Sequence, residues 1–142
     1  MSLCIVTAAK TVKLAIAAFT LSWTHSIERT PWEEDWRVTP DSLVAVEARI
    51  TSIGAGMEMP EDALFDGHMW RWTPKLPPLP RLDLRRSEVI PEGWRLCFDN
   101  ECRQIGGHEE TVGKDQRGHR QQRQHTIHAP VAPVLSDIAP LL

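Results

Sequence analysis

Residues 19–38 read Phe19-Thr-Leu-Ser-Trp-Thr-His-Ser-Ile-Glu-Arg-Thr-Pro-Trp-Glu-Glu-Asp-Trp-Arg-Val38, and their alternation decides the fold class. Phe19, Leu21, Trp23 and His25 share one parity, while Thr20, Ser22, Thr24 and Ser26 share the other. A period of two sends successive side chains to opposite faces, the pattern of a strand with one buried face. The same period returns from Trp32 to Thr39, with Trp32, Glu34, Trp36 and Val38 set against Glu33, Asp35 and Arg37. It returns again from Leu43 to Ser52, where Val44, Val46, Ala48 and Ile50 form the inward set. Pro40, Asp41 and Ser42 supply the turn between the last two strands. The expected fold is all-β: a small antiparallel β-sandwich or barrel-like domain built around this three-strand meander.

Register follows from collecting the apolar sets on one face. It pairs Phe19 with Val38, Leu21 with Trp36, Trp23 with Glu34 and His25 with Trp32. On the other side it pairs Val38 with Val44, Trp36 with Val46, Glu34 with Ala48 and Trp32 with Ile50. One residue fits badly. Glu34 falls on the apolar face, near His25 and the Ser26 to Pro31 connection. A carboxylate there must be hydrogen-bonded, paired or protonated, because burying it bare costs several kcal/mol. One reading joins His25 and Glu34, with Ser26 and Glu28, into a binding pocket or acid–base couple. The other places Glu34 at the sheet's edge in water, with His25 capping the core.

On the opposite face, Asp35 is expected across from Glu47, with Ser22 beside it. Converging carboxylates suit a hard cation, but Arg37 and Arg49 share this face, and a solvated ion-pair network is the expectation. Gly54-Ala-Gly56, which ends the third strand, has the glycine spacing of a small anion-binding nest or of a bend leaving the sheet. A dinucleotide site is not expected, because the full glycine pattern and a following apolar helix are both missing.

Further along, Lys75-Leu-Pro-Pro-Leu-Pro-Arg81 is expected as an extended connection packing on Trp70 and Trp72. Gly93 to Arg103 reads as a hairpin with Asp99-Asn100 as its two-residue turn, Phe98 facing Glu101, and Cys97 facing Cys102 at a position that suits a disulfide. Cys4 is the odd thiol and could compete for either partner. Residues 1–103 are therefore assigned to the β domain. Residues 104–142 are assigned to a mostly disordered polar tail, with a short terminal helix suggested by the spacing of Val131, Val134, Leu135, Ile138, Leu141 and Leu142. The four tail histidines, His108, His119, His125 and His128, are too irregularly spaced for a specific metal site.

The 142 residues suffice for one domain with a real core. A formal charge of -3 supplies no global attraction to nucleic acid or anionic lipid. The best apolar run, Leu14 to Leu21, is too short to span a bilayer. The start of the chain lacks the order of a secretory signal, although Lys10 and Lys13 ahead of that run imitate one weakly. The expected compartment is the cytoplasm by default, or the periplasm if the cysteines pair. No cofactor or metal is expected, and no nucleophile elbow, phosphate loop or zinc-type spacing is found.

Residues 19–38, together with Val46-Glu-Ala-Arg-Ile50, Gly54-Ala-Gly-Met-Glu58, Trp94-Arg-Leu-Cys97 and Cys102-Arg103, resemble the bacterial family of unknown function numbered 1850. The likeness covers about the first hundred residues, and its most specific part is His25-Ser26-x-Glu28 combined with Gly54-Ala-Gly56-Met57. Genes of that family commonly neighbour those of tripartite TRAP solute transporters of the TAXI type. The resemblance thus implies a non-enzymatic accessory role, binding a transporter component or a small solute through His25, Ser26, Glu28, Glu34, Gly54 and Gly56. The alternative is an acid–base enzyme, or a small-ligand-binding protein, using a His25/Glu34 pocket.

Overall fold

A computed structural model describes residues 1–7, 10–24, 29–52, 58–85, 92–106 and 124–128. Every strand pairing in it is antiparallel and it contains no helix among the described residues. The strands are β1 (Leu3–Val6), β2 (Thr11–Leu14), β3 (Ala18–Thr24), β4 (Pro31–Val38), β5 (Leu43–Ile50), β6 (Leu64–Phe65), β7 (Trp70–Trp72), β8 (Arg81–Arg85), β9 (Trp94–Phe98), β10 (Glu101–Ile105) and β11 (Gln124–His128). They form a four-stranded sheet in the order β2-β1-β11-β8 and a seven-stranded sheet in the order β10-β9-β3-β4-β5-β7-β6.

One hydrophobic cluster joins the two sheets. Leu3, Ile5, Leu14, Leu84 and Ile127 come from the smaller sheet; Phe19, Leu21, Trp36, Val38, Leu43, Leu96 and Ile105 come from the larger. This is a small sandwich, with the meander β3-β4-β5 at the centre of its larger layer. Alternation explains its composition, since each contributing strand turns every second residue inward.

The register departs from expectation in two places. Phe19 pairs with Trp36, Leu21 with Glu34 and Trp23 with Trp32, a slip of two residues. A slip of two keeps each side chain on its face, so the apolar pattern tolerates it. Between β4 and β5 the pairs Trp32–Ile50, Glu34–Ala48 and Asp35–Glu47 stand as expected, but a bulge follows Asp35. Beyond it Trp36 meets Ala45 and Val38 meets Leu43, so Val44 and Val46 do not form the inward set. The additional residue is Val46, left 46% exposed, whereas Leu43 becomes fully buried.

The β4–β5 turn closes through Thr39 N–H to the Ser42 carbonyl at 2.9 Å, with the Thr39 hydroxyl oxygen accepting from Ser42 N at 3.0 Å. The hairpin β9–β10 turns on Asp99 and Asn100, both at positive φ. It pairs Phe98 with Glu101 and Cys97 with Cys102, and it runs to Ile105 rather than ending near Arg103. Gly93 enters it at φ 70, and a Cβ there would collide with the backbone of Ile105 and Gly106. Only glycine fits that approach.

The connection before β8 reaches the core through Leu76 and Leu79, and Leu79 exchanges backbone hydrogen bonds with Leu43 at 2.7 and 2.9 Å. Within the stretch expected as a polar tail, Gln124–His128 forms β11, wedged between β1 and β8. Its Ile127 is fully buried, which gives this polar segment an apolar anchor in the sheet. The suggested terminal helix lies outside the described residues. Among the described residues no helix is long and apolar enough to cross a membrane.

Candidate functional site

Trp32-Glu-Glu34-Asp-Trp36 sets one carboxylate between two indoles at two-residue spacing, so all three share the inner face of β4. The indole N–H of Trp36 donates to Glu34 Oε2 at 3.0 Å, and that of Trp32 donates to Oε1 at 3.3 Å. Leu21 on β3 and Ala48 on β5 flank Glu34 laterally, and both are buried. Glu34 is itself only 6% exposed. The expectation that it lies at the sheet's edge in water is therefore corrected. Its strand has a neighbour on each side, and both carboxylate oxygens accept hydrogen bonds from indoles rather than standing free in water. Burial raises the carboxyl's pKa above its ordinary value, against the lowering effect of the hydrogen bonds from Trp36 and Trp32.

Aromatic rings extend outward from this carboxylate. Trp23 stacks on Trp32 with centroids 5.6 Å apart, and Trp72 meets Trp32 edge-on at 5.7 Å. Trp70 lies two residues along β7 from Trp72, on the same face, and packs against Phe65 of β6 at 5.2 Å. Trp23, Trp32, Trp70 and Trp72 are each half-buried, whereas Trp36 is 1% exposed. The arrangement suits a stacking platform over a buried acid: it can hold a proton at Glu34 and an apolar or aromatic group against the half-exposed indoles.

The outer face is organised by guanidinium groups. Arg49 reaches Glu33 at 3.1 Å, Glu47 at 2.9 Å and Asp35 Oδ1 at 3.0 Å. Arg71 bridges Glu47 and Asp66. Thr20, rather than the expected Ser22, stands beside Asp35 and donates to it at 2.7 Å; Ser22 faces Glu33. Desolvation works to raise the Asp35 pKa, but hydrogen bonds from Arg49 and Thr20 and the charges of Arg49 and Arg71 outweigh it, so the carboxyl lies below its ordinary value. Asp66 is held low by the Met69 and His68 backbone N–H groups and by Arg71. Among the described residues no group of three or more His, Cys, Asp or Glu is placed to hold a metal ion.

Of the residues singled out in the sequence, Glu34 is described, while His25, Ser26, Glu28, Gly54 and Gly56 lie outside the described residues. The strand ends that lead into those stretches are neighbours: Thr24 faces Pro31, and Trp32 faces Ile50. Sequence reasoning missed Trp32 and Trp36 as the donors to Glu34. Their two-residue spacing was the available signal. Cys97 and Cys102 are bonded across β9 and β10, with Cα atoms 4.0 Å apart, and Cys4 is a free, buried thiol on β1. The bridge lies on the outer face, where Cys97 is the cross-strand neighbour of Thr20.

A family model described as Domain of unknown function (DUF1850) matches residues 19–105. No curated protein and no solved structure matches the chain.

Proposed function

From the premise that this chain belongs to the family described as Domain of unknown function (DUF1850), we propose that it is a non-enzymatic binding module whose ligand contacts the aromatic surface beside Glu34. The observation that carries this reading is the solvent-poor Glu34 carboxylate, clamped by two indole N–H donors and adjoining half-exposed tryptophans. A carboxylate on an inner face costs stability, and recognition of a partner gives a reason for keeping it. The ligand class is a small solute or a component of a TAXI-type TRAP uptake system, an accessory role supported by the family resemblance. Strands leading to His25, Ser26, Glu28, Gly54 and Gly56 end beside Trp32, so these residues are included in the proposed site.

The test is co-purification of the full chain with the membrane component of its cognate transporter, using wild type and Glu34→Gln with matched thermal melts. Retention by wild type and a loss of about tenfold in affinity by the variant is the expected result. Equal retention removes Glu34 from the site, and no retention by wild type removes the transporter reading. The acid–base enzyme remains a second reading because the Glu34 carboxyl has the raised pKa that general acid catalysis uses. It requires turnover of a metabolite that Glu34→Gln abolishes.

A further inference from the structure

The two ends of the seven-stranded sheet are finished differently. At one end β10 presents Glu101, Cys102, Arg103 and Gln104, all polar or bridged, to solvent. Charged and polar side chains are how sheet edges resist further pairing. At the other end, β6 presents Leu64 and Phe65, which are 73% and 55% exposed. Large apolar side chains on a terminal strand invite a further strand.

We propose that β6 docks an extended peptide segment whose side chains alternate apolar and basic, added as the next strand of the sheet. Asp66 N–H donates to the Met69 carbonyl at 3.1 Å, which makes Asp66–Met69 the hydrogen-bonded pair at the head of the β6–β7 hairpin. Phe65–Trp70 is then a non-hydrogen-bonded pair, so the Phe65 N–H and C=O point away from β7, to the side of β6 where the sheet ends among the described residues. Those groups are the backbone hooks for an incoming strand.

Register sets the chemistry of the partner. Phe65 lies on the aromatic side with Trp70, and a residue added beside it faces the rings. Leu64 pairs with Arg71 on the outer side, where four carboxylates, Glu33, Asp35, Glu47 and Asp66, share the guanidinium groups of Arg49 and Arg71. The excess there is negative, and exposed Glu61 and Asp62 precede the strand. A residue added on that side is therefore favoured when basic. The inference does not depend on Glu34 as a ligand contact.

The experiment titrates the full-length chain with a synthetic peptide of alternating valine and lysine, and with its valine–glutamate counterpart. Backbone amide shifts are followed by NMR. The valine–lysine peptide is expected to shift Leu64, Phe65 and Asp66, to bind about tenfold more weakly to Phe65→Ser, and to lose affinity as salt is raised. The glutamate peptide is expected to leave those amides unmoved. Phe65 is exposed enough for the variant to keep its fold, which a thermal melt checks. The proposal is overturned if both peptides bind alike, if Phe65→Ser binds as well as wild type, or if the shifts fall on β10 instead. Concentration-dependent self-association through β6 without peptide also overturns it, making a second copy the occupant.

Discussion

Glu34 and Asp35 are consecutive acids on one strand, and their surroundings drive their pKa values in opposite directions. Glu34 turns inward, where burial dominates and two neutral indole donors only partly compensate. Asp35 turns outward, where burial also opposes ionisation but Arg49, Thr20 and Arg71 more than offset it. The pleat of β4 separates them, not their chemistry. A full positive charge at hydrogen-bonding distance outweighs partial desolvation, whereas two uncharged N–H groups do not outweigh near-complete desolvation.

The largest expected effects come from removing the group that serves each acid. Trp36→Ala takes away a core side chain that is 1% exposed together with the stronger donor to Glu34. It should cost about 3–5 kcal/mol in urea unfolding, the range for large aromatic truncations in a core. Arg49→Met is the counterpart on the outer face. It keeps most of the buried stem but leaves Glu33, Asp35 and Glu47 without their shared cation. The carboxylates are about one-third exposed, so solvent screens their repulsion. A smaller cost of about 2 kcal/mol is expected, and added salt should reduce it. A salt-insensitive Arg49→Met deficit would mean that packing, not charge, holds the outer face.

The same contrast explains what could be read from the sequence. Strands β3 and β4 are readable because Phe19-x-Leu21-x-Trp23 and Trp32-x-Glu34-x-Trp36-x-Val38 keep a period of two, with Glu34 the one polar residue in the apolar set. The slip of two between β3 and β4 was not, since alternation fixes a face but is blind to even shifts along it. Leu43-Val-Ala-Val46 carries apolar residues at both parities, so its period cannot say which pair turns inward. The bulge at Val46 turns Leu43 into the hydrophobic cluster and Ala45 against it, a choice made by packing and not by the local period. That sheet was itself obscure, because β1, β2, β8 and β11 are four or five residues each, drawn from distant segments. The anomaly of Glu34 was visible as a carboxylate at an apolar position. Its donors are harder to read, because a tryptophan counts as apolar in the pattern and its polar edge is a single N–H, whereas His25 nearby in sequence is openly titratable.

The smallest effects carry the most direct comparison of the two acids. A raised carboxyl pKa means that folding favours the neutral form relative to the unfolded chain. The contribution of Glu34 to stability is therefore full below its unfolded value, near 4.5, and is lost as pH rises through the folded value. A depressed pKa works the other way. The contribution of Asp35 is present above its unfolded value, near 3.8, and is lost as pH falls through the folded value. Urea unfolding from about pH 3 to about pH 8 should therefore show wild type losing stability relative to Glu34→Gln, and gaining it relative to Asp35→Asn, as pH rises. The Asp35→Asn difference should stay below about 1 kcal/mol because that side chain is one-third exposed and screened. If both differences run in the same direction, the face of the strand does not set the proton affinity of these acids. Differences of opposite sign would tie the proton affinity of each acid to the side of β4 on which it falls.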